Sequence, residues 1–262
     1  MMSLYMVQLR KLFSRGDVRW IVGIFALLPF AIAFLIAQES GVVQIGDSVF
    51  TAMGYSSVVV GLLNSLLLVS VTVALVTTAV IAKEIDTGLD GVYVTKVHSR
   101  GQLILSKMAV LDLLSVAVFA AMLISAIVGW LVFLKDSPYG TDAIWSAQGD
   151  GDETFMLLYT VLGSFFETLV LIRLYTLMSL LFKYGKAIVF NFATVVVFKL
   201  LGNIEAVQRW IPSYIGEGTY LLAYAGDKLL LNGVLGLGVL FGYALVLTGI
   251  NYLVYKQMDL AR

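Results

Sequence analysis

Residues 83–107, KEIDTGLDGVYVTKVHSRGQLILSK, stand between two long apolar runs, SVVVGLLNSLLLVSVTVALVTTAVIA at 57–82 and MAVLDLLSVAVFAAMLISAIVGWLVFL at 108–134. A helix of about 20 apolar residues crosses a hydrocarbon core about 30 Å thick, so either run is long enough to span a bilayer. The charged stretch between them cannot rest in hydrocarbon. It must lie in water or at the membrane face, where a soluble partner can reach it. Leu89, Val92, Tyr93 and Val97 alternate with polar residues there, and Gly88 and Gly91 punctuate the chain. That pattern predicts a short amphipathic helix at the interface, ending in the basic residues Arg100 and Lys107.

The rest of the chain reads the same way. It is 60% hydrophobic and only 13% charged, with a mean hydropathy of +0.94, whereas soluble domains carry about 25% charged residues. A core built from 262 residues could not hide this much apolar surface from water. The fold class is therefore an all-α integral membrane protein, a single transmembrane domain over 1–262. Spans are expected at about 20–38, 57–82, 108–134, 155–182, 187–203 and 232–255. The first exceeds the 7–15 apolar residues of a secretory signal core and is read as a retained helix.

Basic residues set the orientation, because Lys and Arg concentrate in cytoplasmic loops. Arg10, Lys11, Arg15 and Arg19 precede the first span; Lys83, Lys96, Arg100 and Lys107 follow the second; Lys183 and Lys186 follow the fourth; Lys256 and Arg262 follow the sixth. The alternate loops hold Lys135, Arg209 and Lys228. Both termini are thus expected in the cytosol, in a multi-pass protein of the cell membrane. Tyr5, Leu9, Leu12 and Phe13 share one helical face, which predicts an amphipathic helix at the cytoplasmic surface contacting lipid. Between spans five and six, Trp210, Pro212, Tyr214, Tyr220 and Tyr224 suit short helices at headgroup level in the outer leaflet. The loop at 135–154 carries Asp136, Asp142, Asp150, Asp152 and Glu153 without EF-hand spacing and reads as a solvated acidic loop.

Several chemistries are excluded. There is no cysteine and one histidine, His98, which sits in a loop. A Ser–His intramembrane hydrolase needs its histidine at depth, and a metalloprotease needs clustered ligands, so no catalytic residue and no metal site are expected. A net charge of zero gives no reason to expect a nucleic-acid partner. Three charges do fall inside spans: Glu167, Arg173 and Lys199. Each would cost about 2.5–3.5 kcal/mol at a helix centre. Glu167 and Lys199 lie at overlapping depths and are expected to pair, either as a structural bridge with Arg173 and Lys199 snorkelling or as part of a polar path that includes Arg173, Asn64 and Asn191. Asp112 is close enough to the inner end of its span to stay wet. Gly238 and Gly242 form a small-x-x-x-small pair that predicts close helix packing within the chain.

The loop after the second span resembles that of permease subunits of the ABC transporter type 2 exporter family. In that family a glutamate at the end of the second span precedes a Gly-Thr-like turn, an apolar pair, a Ser-Pro-x-Ser-Arg-like stretch and a lysine opening the third span. Here Glu84, Thr87-Gly88, Val92-Tyr93, Ser99-Arg100 and Lys107 take those places, while Lys96 stands where proline is common and Leu89 follows Gly88. The resemblance implies a coupling helix seated on a cytoplasmic ABC ATPase subunit, pairing with a second, identical or related permease, and a bacterial plasma membrane. It also implies that ATP and Mg are bound by the partner. This chain has no G-x-x-x-x-G-K-[ST] phosphate loop, so it is expected to bind no cofactor and to be no enzyme itself. The cargo would be amphipathic or hydrophobic: a peptide, as in antimicrobial-peptide export or immunity, a lipid or a drug. A secondary carrier using Glu167 and a non-transporting membrane scaffold are the competing readings.

Overall fold

The computed structural model describes residues 2–38, 49–94, 99–145, 151–223 and 228–258. Lys96, His98, Asp150, Tyr224 and Arg262 lie outside the described residues, as do the side chains of Val92 and Tyr93. The elements in chain order are α1 (Met2–Ser14), α2 (Gly16–Ala37), α3 (Ala52–Ser65), α4 (Leu68–Val80), α5 (Ala82–Asp86), α6 (Leu89–Val94) and α7 (Arg100–Gly129). There follow a π turn at Trp130–Leu134, α8 (Gly151–Leu181), α9 (Tyr184–Gly202), a 3-10 turn at Gln208–Trp210, α10 (Pro212–Ile215), α11 (Gly218–Ala223) and α12 (Leu229–Gln257). The described residues form helices and loops, with one isolated β-bridge between Phe50 and Gly140. Six helical segments are long and apolar enough to cross a membrane, which makes this a multi-pass membrane protein.

α8 is the central post. It packs against α12, α4, α3, α7 and α9, while α2 lies along α7 on the far side. α1 packs on α7 and α2 with Leu12 buried and Leu4, Tyr5, Leu9 and Phe13 against the same core. At the joint between α1 and α2, Arg15 grips Asp17 through two hydrogen bonds of 3.1 and 2.7 Å. That contact raises the guanidinium pKa further above its ordinary value. α7 runs 30 residues, about 45 Å at 1.5 Å per residue, so it outreaches the hydrocarbon. Its first two turns, from Arg100 to Lys107, belong to the loop end rather than to the span. Ser99 caps it, accepting from the Gln102 amide at 3.3 Å.

The second span departs from the continuous helix expected at 57–82. α3 ends at Ser65 and α4 begins at Leu68, with Leu67 at φ 61° between them. A leucine in the left-handed region is disfavoured by the clash of its Cβ with backbone oxygen. Here the surrounding helices hold the bend, and the Leu67 amide still bonds the Asn64 carbonyl at 2.9 Å.

The glycines of α12 also behave differently from expectation. Gly238 and Gly242 face open space within this chain, and Gly249 does too. The close packing is two turns earlier, where a Cβ on Gly233 would meet Phe155 at 2.5 Å and one on Gly236 would meet the Tyr159 hydroxyl at 2.5 Å.

Candidate functional site

Two polar assemblies stand at opposite ends of the bundle. The terminal end gathers α1, the α5–α6 segment, the start of α7, the start of α9 and the end of α12. Glu84 on α5 lies between Lys11 of α1 at 2.8 Å and Lys107 of α7 at 3.2 Å. Lys107 also bonds Asp90 of α6, and Asp90 accepts a hydrogen bond of 2.9 Å from the Tyr255 hydroxyl of α12. The Lys107 side chain is fully buried and that of Asp90 is 1% exposed. Two cations face two anions, so the cluster is neutral, with Lys11, 31% exposed, at its outer edge. Burying unpaired charges costs several kcal/mol each, and only good geometry offsets that cost.

The loop expected to lie open to a soluble partner is thus open only in part. Glu84 and Lys107 are locked inside, while Asp86, Thr87, Gly88 and Leu89 are exposed. Gly88 has φ +72°, a conformation glycine adopts without steric cost, and it turns the chain from α5 into α6. The Thr87 hydroxyl donates to the Lys83 carbonyl at 2.8 Å. Asp86 accepts from the Tyr184 amide at 2.6 Å, tying the tip to the start of α9. Arg100 donates to the Met258 carbonyl at 2.7 Å, so it fastens α7 to the end of α12.

The distal seam lies where α3, α4, α8, α9 and the α10–α11 hairpin meet. Glu167 of α8 accepts a 2.7 Å hydrogen bond from the Asn64 amide, at the break in the second span. The expected Glu167–Lys199 bridge does not form. Lys199 instead pairs with Glu217, between α10 and α11. The reason is the depth reached by that hairpin. A Cβ on Gly163 would stand 2.6 Å from the Gly216 carbonyl oxygen, and one on Gly216 would stand 2.7 Å from the Glu167 Cβ. Two facing glycines therefore let irregular backbone reach the middle of α8. Non-helical backbone at that depth is tolerated where protein surrounds it or where it lines a cavity. Both conditions hold. Ser213 donates to the Phe198 carbonyl at 2.9 Å and Tyr159 to the Ile215 carbonyl at 2.6 Å. A cavity of about 370 Å³ bounded by Lys199, Asn203, Ser213 and Glu217 opens on one side. A second of about 310 Å³, bounded by Ser57, Asn64, Thr160 and Glu217, opens on the other.

The remaining intramembrane polar residues fasten helices. Arg173 binds Asp112 at 2.5 Å and Thr248 at 2.8 Å, joining α8 to α7 and α12. Asp112 is therefore a partner to Arg173 and not simply a wetted end group. Asn191 is 1% exposed and donates to Thr78 at 2.7 Å, so it clamps α9 to α4 instead of lining a wall. Sequence reasoning missed Asp90 and Glu217. Glu217 was legible in one respect, as a lone carboxylate in an apolar stretch that requires a cation, whereas Asp90 is one of three carboxylates within seven residues and nothing in the spacing marks it as the buried one. Among the described residues, no three His, Asp or Glu side chains come together as a metal site. No protein-family model matches the chain, and no curated protein is significantly similar to it.

Proposed function

We propose that this membrane protein is the permease subunit of an ATP-driven exporter, working as a pair with an identical or related chain. Separate cytoplasmic ATPase subunits bind ATP and Mg and hydrolyse the nucleotide. The observation that carries this reading is the construction of residues 82–94: an exposed tip, Asp86–Leu89, on a root whose carboxylates are buried, ion-paired to α1 and α7 and hydrogen-bonded to α12. A partner pressing on the tip would move α1, α7 and α12 together, because Glu84, Lys107 and Asp90 leave no slack between them. The basic bias supports a cytosolic terminal end, with α1 at the interface. Motion would reach the distal seam through α4, whose break beside Asn64 is the place where a bend costs least. The cargo would be an amphipathic molecule, a peptide, lipid or drug, with its polar part in the distal cavities.

The test is purification of the tagged chain from its own membrane under mild detergent, followed by assay of bound ATPase activity. Wild type should carry an ATPase. Leu89→Glu, at a side chain 44% exposed, should release it without changing the thermal unfolding midpoint. A wild-type preparation with no ATPase would overturn the proposal and leave the scaffold reading. A carrier reading draws support from Glu167, a buried carboxylate at mid-depth. It requires that Glu167→Gln abolish transport driven by an ion gradient. Transport that persists in this variant with ATP present assigns Glu167 to structure.

A further inference from the structure

Among the described residues, the Lys199–Glu217 pair stands at the wall of the two large cavities of the distal seam. Its side chains are 29% and 31% exposed, and both border the space of about 370 Å³. Lys199 is three residues from the end of α9, about 4.5 Å along the axis, and it also lines a small space with Asn64 and Glu167. Trp210, 71% exposed, ends the 3-10 turn just before the α10–α11 hairpin, and tryptophan is enriched at membrane interfaces. The second cavity shares Glu217 and is bordered by Val58 of α3, itself 50% exposed. A ligand filling both spaces would therefore have its charges at the ion pair and an apolar chain along α3.

We propose that this cleft binds the headgroup of a zwitterionic lipid bearing a primary ammonium, of the phosphatidylethanolamine type. The phosphate accepts from Lys199 and the ammonium donates to Glu217, so the headgroup inserts into the pair and every charge keeps a partner. An anionic lipid would leave Glu217 facing like charge. A choline headgroup has no N–H to offer the carboxylate, and charge-assisted hydrogen bonds are the strong ones. Binding at this site does not depend on the permease reading.

Native mass spectrometry of the purified chain, titrated with phosphatidylethanolamine, phosphatidylcholine and phosphatidylglycerol of matched acyl chains, tests the site. Phosphatidylethanolamine should bind about tenfold tighter than either, from the one charge-assisted bond that distinguishes it. Glu217→Gln should erase the preference over phosphatidylcholine, and Lys199→Met should weaken both zwitterionic lipids. Equal affinity of wild type for the three lipids overturns the proposal, whether or not the variants fold. So does a preference that survives in both variants. Soluble phosphoethanolamine should compete only weakly; competition equal to that of the lipid would point to a free zwitterion and overturn the lipid assignment. ATPase retention is scored on the same preparations, so a wild-type chain that shows no lipid preference while the ATPase is still bound rejects this site and leaves the permease reading standing.

Discussion

At the terminal end, four charges and a tyrosine hydroxyl close on one another with almost no space between them. At the distal end, one ion pair stands between two cavities totalling several hundred cubic ångströms. Both regions put charge beside hydrocarbon, yet the first uses its charges as rivets and the second leaves them reachable. The difference comes from what surrounds the charges. Lys107 meets Glu84 of α5, Asp90 of α6 and the Val80 carbonyl at 3.4 Å, with Lys11 of α1 and Tyr255 of α12 closing the cluster from behind, so side chains pack to contact. Around Glu217 the chain is a re-entrant hairpin of short turns, which cannot fill the volume left by a bent second span.

The contrast can be broken from either side. The largest expected effect is at Lys107→Met, which leaves the buried Asp90 with the Tyr255 hydroxyl but no cation, and Glu84 with Lys11 alone. Removing one partner of a buried charge group typically costs about 3–5 kcal/mol, and denaturant titration in detergent micelles should show a loss of that size. A loss below about 1 kcal/mol would mean that the cluster is solvated, and the rivet description fails. Next is Gly216→Val, which drives a branched side chain into Glu167. Overpacking of this kind costs about 1–3 kcal/mol, and the same titration should place it below the lysine variant. Lys199→Met should cost under about 1 kcal/mol, as partly exposed pairs do, while changing lipid preference. A destabilisation as large as that of Lys107→Met would erase the distinction between the two ends. Smallest is Gly238→Leu, which meets open space in this chain and should shift stability by less than about 0.5 kcal/mol. A larger effect, seen only at high protein concentration, would mark that face as a contact with a second copy.

Reading from sequence reached the helices further than the contacts. The apolar runs predicted the spans to within a few residues at most ends, because length and hydropathy report directly on the solvent a helix must match. The basic cluster before the first span and the charged stretch after the second were equally plain. Partner choice was not. Glu167 and Lys199 lie at overlapping depths, and linear spacing makes them a reasonable couple. Glu217 intervenes only because Gly163 and Gly216 let the hairpin descend between them. In the same way, Asn191 looks like a wall residue in a list of polar positions, and becomes a clamp once Thr78 is found opposite. Gly238 and Gly242 carry a packing signature, but which glycines face a neighbour depends on the rotation of α12 about its axis.

The amino-acid sequence by itself determined the medium: a chain this apolar, with most of its charge outside the apolar runs, belongs in a bilayer as a bundle of helices. It determined too that the few charges inside must find partners, since an unpaired one is costly in hydrocarbon. Which partners they found, which bonds became rivets and which were left beside open space, only the tertiary structure decided. Pairing depends on distances of a few ångströms between segments far apart in the chain, and those distances follow from how helices rotate, bend and approach.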